Sequence, residues 1–135
     1  MAWANEDRYD GIVASAGARY NVPASLIKAV IAAESGFKPE AERKETRASD
    51  WPPGITEDAS RGLMQLLEWR ARTLGYQGSA EGLFDPYTNI DLGSKLLSIN
   101  AARLGSWEAA ISAYNGGIRP ELGFGAPRAD GDFAN

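Results

Sequence analysis

Residues 23–36 read PASLIKAVIAAESG. Pro23 suits a first helical turn, Leu26, Ile27, Val30 and Ile31 recur at helical spacing, and Gly36 supplies a stop. The stretch predicts a helix from Pro23 to Ser35. Ile27, Ile31 and Glu34 fall at i, i+4 and i+7, so an otherwise apolar face ends in a carboxyl group. Desolvation there drives the carboxyl towards its neutral form and raises its pKa, which is what a general acid needs near neutral pH. Spacing alone also fits a solvated or Arg-paired Glu34 at a frayed helix end.

Further helices read outward from this one. The first covers about Trp3 to Ala18, with Tyr9, Ile12, Val13 and Ala16 at helical spacing. A third covers about Arg61 to Leu74 and is stopped by Gly75, and a fourth runs from about Asn89 to Leu104 and ends at Gly105. Ser106 then reads as the N-cap of a short fifth helix, Trp107 to Tyr114. No alternating strand signal stands out, so the expected class is all-α, with room for a small β element in Ala48–Thr56. Phe37 to Ala59 is a long connection carrying Trp51-Pro52-Pro53-Gly54, and connections of such length are often functional. At 135 residues the chain fits a single domain, residues 1–135, with 118–135 as an irregular tail rich in Gly, Pro and Asp.

Composition narrows the chemistry. The chain has no Cys and no His. That removes disulfides, thiolate zinc sites, thiol nucleophiles and the usual base of serine hydrolases. Acid–base chemistry must therefore come from a carboxyl, Lys or Tyr group with a shifted pKa. A net charge of −4 makes nucleic acid a poor partner. No apolar run reaches the roughly 18 residues that span a bilayer, so no membrane insertion is expected. Glu6, Asp7 and Arg8 stand where a signal peptide would need an apolar stretch. Neither metal nor cofactor is expected.

Two more segments carry candidate chemistry. In Gly62-Leu63-Met64-Gln65, Gly62 allows close backbone approach, Met64 offers an adaptable apolar wall, and Gln65 can give and take hydrogen bonds from a sugar. The same four residues also fit a plain helix start with Leu63 and Met64 in the core. In Ala113-Tyr114-Asn115-Gly116-Gly117 a tyrosine and an asparagine sit at a helix end, which also fits an ordinary Asn-Gly stop.

The ordered set Ala-Glu-Ser-Gly-Phe (33–37), Gly-Leu-Met-Gln (62–65) and Ala-Tyr-Asn-Gly-Gly (113–117) resembles the soluble lytic transglycosylase family, relatives of goose-type lysozyme. Tyr20-Asn21-Val22-Pro23, Leu74-Gly75-Tyr76, Phe84-Asp85-Pro86 and Asn89-Ile90-Asp91-Leu92-Gly93 agree, so the resemblance covers about Tyr20 to Gly117. It implies a lysozyme-like helical domain with a glycan groove, acting on peptidoglycan between N-acetylmuramic acid and N-acetylglucosamine. Glu34 would protonate the leaving oxygen, then serve as base while the muramic C6 hydroxyl attacks C1. The product would be a 1,6-anhydromuramyl end. The substrate's acetamido group would assist, so no second carboxylate is required, unlike the usual two-carboxylate glycosidase. By the same resemblance Ser35 supports Glu34, while Met64, Gln65, Tyr114 and Asn115 line sugar subsites.

Several departures stand out. Relatives often follow Gly-Leu-Met-Gln with an apolar pair and a proline. Here Leu66-Leu67 precedes Glu68, so a longer start to the third helix is expected. Relatives commonly carry a serine a few residues before that motif, and an ungapped count puts Thr56 there. The family's last helix has no counterpart after Ile118. The chain then reads as part of a longer protein or a divergent form, monomeric, acting on the cell wall, with a virion-associated enzyme fitting equally.

Two other functions fit the sequence. A goose-lysozyme-like hydrolase would need a second carboxylate to hold water, from Asp50, Glu57 or Asp58. A non-catalytic glycan-binding or phage-tail structural module would have no use for a desolvated acid beside Ser35.

Overall fold

The computed structural model describes residues 5–116. Trp3 and the tail 118–135 lie outside them. The chain divides into two compact units, residues 1–94 and 95–135.

In the first unit, helix α1 spans Asp10–Tyr20 and helix α2 spans Ala24–Ser35, with Pro23 as its N-cap. The turn that joins them folds closely back on α1 because Gly17 has no Cβ. One placed there would meet the Val22 carbonyl oxygen at 2.6 Å. Lys28 on α2 ties back to Asp10 at 3.0 Å. Ile27, Val30 and Ile31 are buried, and Gly36, at φ 61°, ends α2 in the left-handed conformation.

An antiparallel sheet follows, in the order β1 (Glu42–Thr46), β2 (Glu57–Arg61), β3 (Leu66–Leu67). Glu42 faces Arg61 and Thr46 faces Glu57, while Arg61 faces Leu66. The small β element thus exists, but its strands flank Ala48–Thr56, which forms the hairpin loop. That loop is internally braced. Arg47 donates to the carbonyls of Trp51 (3.1 Å) and Pro52 (2.8 Å). Trp51 packs on Trp69 with ring centroids 6.4 Å apart, and the Arg70 guanidinium lies 4.3 Å from the Trp69 ring while pairing with Asp50 at 3.4 Å.

The helix expected from Arg61 does not begin there. Arg61 is still in β2, Gly62 and Gln65 have φ of 80° and 51°, and helix α3 covers only Glu68–Thr73. Left-handed backbone cannot be part of an α-helix, so the motif is a tight turn, and the longer helix start is not formed. A 3-10 helix, Ala80–Phe84, then leads into α4, Pro86–Leu104, whose first turn is capped by Asp85 through the Thr88 N–H at 2.9 Å.

The second unit contains the end of α4, with Leu97 fully buried, and helix α5, Trp107–Gly116. Gly105 turns the chain at φ 88°, and Ser106 caps α5 by accepting from the Ala109 N–H at 3.1 Å. Among the described residues no helix is long and apolar enough to cross a membrane.

One polar cluster ties α1 to α4 in the first unit. The Tyr20 hydroxyl donates to Asp91 at 2.9 Å, and Arg19 bonds the other Asp91 oxygen, Ser15 and Tyr87. Burial, then the Asp91 hydrogen bond, raises the Tyr20 phenol above its usual value of 10.0. Below pH 10 the phenol is neutral in both states and its hydrogen bond contributes fully. As pH rises past about 10 the unfolded chain ionises first, and that contribution is lost through the folded pKa. Tyr20→Phe should therefore melt below the parent at pH 8 and converge on it above pH 10. Melting curves across pH 8–11 check this, and a gap that stays constant or widens would contradict it.

Candidate active site

Glu34 occupies the last turn of α2, half-buried, on the face carrying the fully buried Ile27 and Ile31. Its Oε2 is shut off from solvent. The spacing argument therefore holds for placement: the carboxyl sits where the apolar face ends. The Ser35 hydroxyl donates back to the Ile31 carbonyl at 3.1 Å and so braces the last turn of the helix that carries Glu34.

The turn at residues 62–65 is anchored to the segment that follows α2. The Gly62 N–H donates to the Ala41 carbonyl at 2.8 Å. Gln65 Nε2 donates to the carbonyls of Ala41 (3.1 Å) and Gly62 (3.0 Å). Both neighbours are acceptors, so the amide nitrogen must face them and Oε1 is the group Gln65 can offer outward, an acceptor.

Met64 departs from its expected role. It is fully buried, and a Cβ on Gly93 would lie 2.4 Å from its Sδ. It packs into the core against α4, so Leu63 and Met64 take the core places of the plainer expectation, but in a tight turn and not at a helix start. Thr56 lies exposed at the end of the hairpin loop. The buried hydroxyl of this region is Ser60, which donates to Glu45 at 2.7 Å and gave no sequence signal. Tyr114 is half-buried in α5, in the second unit. Asn115 lies in α5, and its side chain falls outside the described residues.

The three acids weighed as a second catalytic carboxylate are placed differently from one another. The Asp58 side chain is only 4 % exposed. Its Oδ1 accepts from the Ala59 N–H (2.7 Å) and Arg61 (3.0 Å), and its Oδ2 from the Trp69 N–H (2.9 Å). It caps α3 from strand β2, a structural task. Asp50 pairs with Arg70, and Glu57 is exposed. An open hollow of about 430 Å³ lined by Pro39, Glu40, Glu42, Glu81 and Phe84 includes none of these residues. Among the described residues no group of acids is arranged to hold a metal ion.

A model of the transglycosylase SLT domain matches residues 11–122. The chain belongs to the transglycosylase SLT domain family. Solved structures with the same fold include the lytic transglycosylase Slt of Pseudomonas aeruginosa, in an inactive mutant form. It has 26 % identity and a TM-score of 0.60 over 79 % of this chain. The 70-kDa soluble lytic transglycosylase in complex with bulgecin A has 24 % identity and a TM-score of 0.61 over 78 %. DslA has 25 % identity and a TM-score of 0.52 over 62 % of this chain and 44 % of its own. The SLT domain here spans only 16 % of each of the first two proteins. Its architecture is mostly helical with a small three-stranded sheet, the lytic transglycosylase fold.

Proposed function

We propose that this SLT domain is a peptidoglycan lytic transglycosylase that cleaves between N-acetylmuramic acid and N-acetylglucosamine, with Glu34 as the acid and then the base. The observation that carries this reading is Glu34 itself, half-buried at the end of an apolar helix face with one oxygen closed to water. Burial and the negative end of the α2 dipole both favour the protonated carboxyl. In that form Glu34 gives its proton to the glycosidic oxygen as the bond to C1 breaks. The substrate's acetamido oxygen stabilises C1. The Glu34 carboxylate next takes the proton of the muramic C6 hydroxyl, and O6 closes on C1. The proton returns to Glu34, no water is consumed, and the new end is a 1,6-anhydro sugar.

The placement of the other acids favours this over hydrolysis. A hydrolase needs a carboxylate positioned to hold water. Both Asp58 oxygens are engaged by backbone and Arg61, Asp50 is paired with Arg70, and Glu57 is exposed. Gln65 would take a hydroxyl or amide hydrogen of the sugar on Oε1, with Tyr114 and Asn115 as further subsite residues and Ser35 as support for Glu34. The domain would act as a monomer on glycan strands outside the cytoplasmic membrane. Incubation with purified sacculi tests the reading. Soluble muropeptides are expected, whereas a protein that sediments with intact sacculi and releases nothing is a binding module.

A further inference from the structure

The turn at residues 62–65 is held from two sides. One is the Ala41 carbonyl, seven residues beyond Glu34. The other is Asn89, fully buried in the first turn of α4. Its Oδ1 accepts from the Met64 N–H at 2.7 Å. Its Nδ2 donates to the carbonyls of Arg61 and Leu83, both at 2.8 Å. The amide thus spends both donors and one acceptor on the two ends of β2's exit and on the 3-10 helix.

The fit is close. A Cβ on Gly62 would stand 2.4 Å from Asn89 Nδ2 and 2.8 Å from the Leu83 oxygen. One helical turn further, Gly93 receives Met64 in the same way. Residues 89 and 93 lie at i and i+4, so one face of α4 is shaped to this turn. The turn needs such support, because Gln65 is a non-glycine residue at φ 51°, a conformation that persists only when its surroundings over-determine it.

We infer that Asn89 is a positioning residue: its amide fixes the Gly62–Gln65 turn, and so presents Gln65 Oε1 to the sugar in register with Glu34. This rests on the proposed roles of Glu34 and Gln65. Asn89 itself touches no substrate. An aspartate would keep the acceptor for Met64 and, protonated in this buried site, donate to one carbonyl. An alanine keeps nothing.

The test measures kcat and KM on solubilised glycan strands for Asn89→Ala, Asn89→Asp, Gln65→Ala and the Asn89→Ala/Gln65→Ala double variant, each well below its own melting temperature. Glu34→Gln runs alongside. The folded Asn89→Ala protein should lose about tenfold or more in kcat/KM, the scale of a misplaced group, with Asn89→Asp between it and the parent. In the Gln65→Ala background the same change should cost less than about threefold, because coupled groups are non-additive. Parental kcat/KM in folded Asn89 variants, or an undiminished loss in the Gln65→Ala background, overturns the inference. So does failure of both Asn89 variants to fold, which would assign Asn89 to the core alone. Parental cleavage by Glu34→Gln would overturn the site itself, and the inference with it.

Discussion

A Glu34→Gln protein is expected to release no detectable muropeptides while melting at or above the parent's temperature at neutral pH. Glutamine keeps the shape and cannot give or take a proton. Proton transfer by a placed side chain is worth about 10²–10⁴-fold, and Glu34 would supply it in both halves of the reaction. Loss of cleavage by at least about 10³-fold follows. Stability moves the other way. Glu34 Oε2 is closed to solvent on a face that also holds Ile27 and Ile31, at the negative end of α2. A neutral amide there avoids the cost of ionising a desolvated carboxyl. Lysis assays and melting curves on one preparation read both effects. A clearly destabilised protein that still cleaves would mean Glu34 is an ordinary structural carboxylate.

The second large effect is on stability and concerns Asp58. Asp58→Ala removes the cap of the Trp69 N–H and strips Arg61, whose side chain is 13 % exposed, of its 3.0 Å partner. Breaking one side of a buried pair costs about 3–5 kcal/mol. For a domain of this size that is roughly 10 °C or more in melting temperature. Cleavage by the folded fraction, measured well below the melting transition, should stay near the parent rate. The hydrolase alternative reverses the second outcome: a water-holding Asp58 would lose cleavage on substitution even in the folded fraction. Thermal melts paired with cleavage at low temperature separate the two.

How much of this was legible in the sequence varies by element. Helices α2, α4 and α5 announce themselves because their buried residues recur at helical spacing and Gly36, Gly105 and Ser106 mark their limits. The sheet does not. β1 reads ERKET and is almost wholly exposed, and the small Ala59 is the one apolar residue among the five of β2. Neither strand carries the apolar alternation on which strand recognition rests. Leu63, Met64, Leu66 and Leu67 mimic helical spacing. They are held instead in a turn and a short strand by Asn89 and Ala41, which lie 25 and 24 residues away from Met64 and Gln65.

The site shows the same divide. The place of Glu34 at the end of an apolar face was legible, because Ile27 and Ile31 lie on the same helix. For Met64 the sequence leaves a groove wall and a core place both open, because the residue that receives it, Gly93, is on α4. Asn89 appeared in the sequence only as part of a family-like run, with nothing local to mark the three hydrogen bonds its side chain makes. The Asp58 network was equally hidden, since its partner Trp69 belongs to a different element.

Mass spectrometry of the ends of muropeptides released from purified sacculi tests the central claim most directly. Transfer to the C6 hydroxyl, with Glu34 as the one working carboxyl, predicts 1,6-anhydromuramyl ends. Ordinary reducing ends, one water heavier, would contradict it and make the domain a hydrolase.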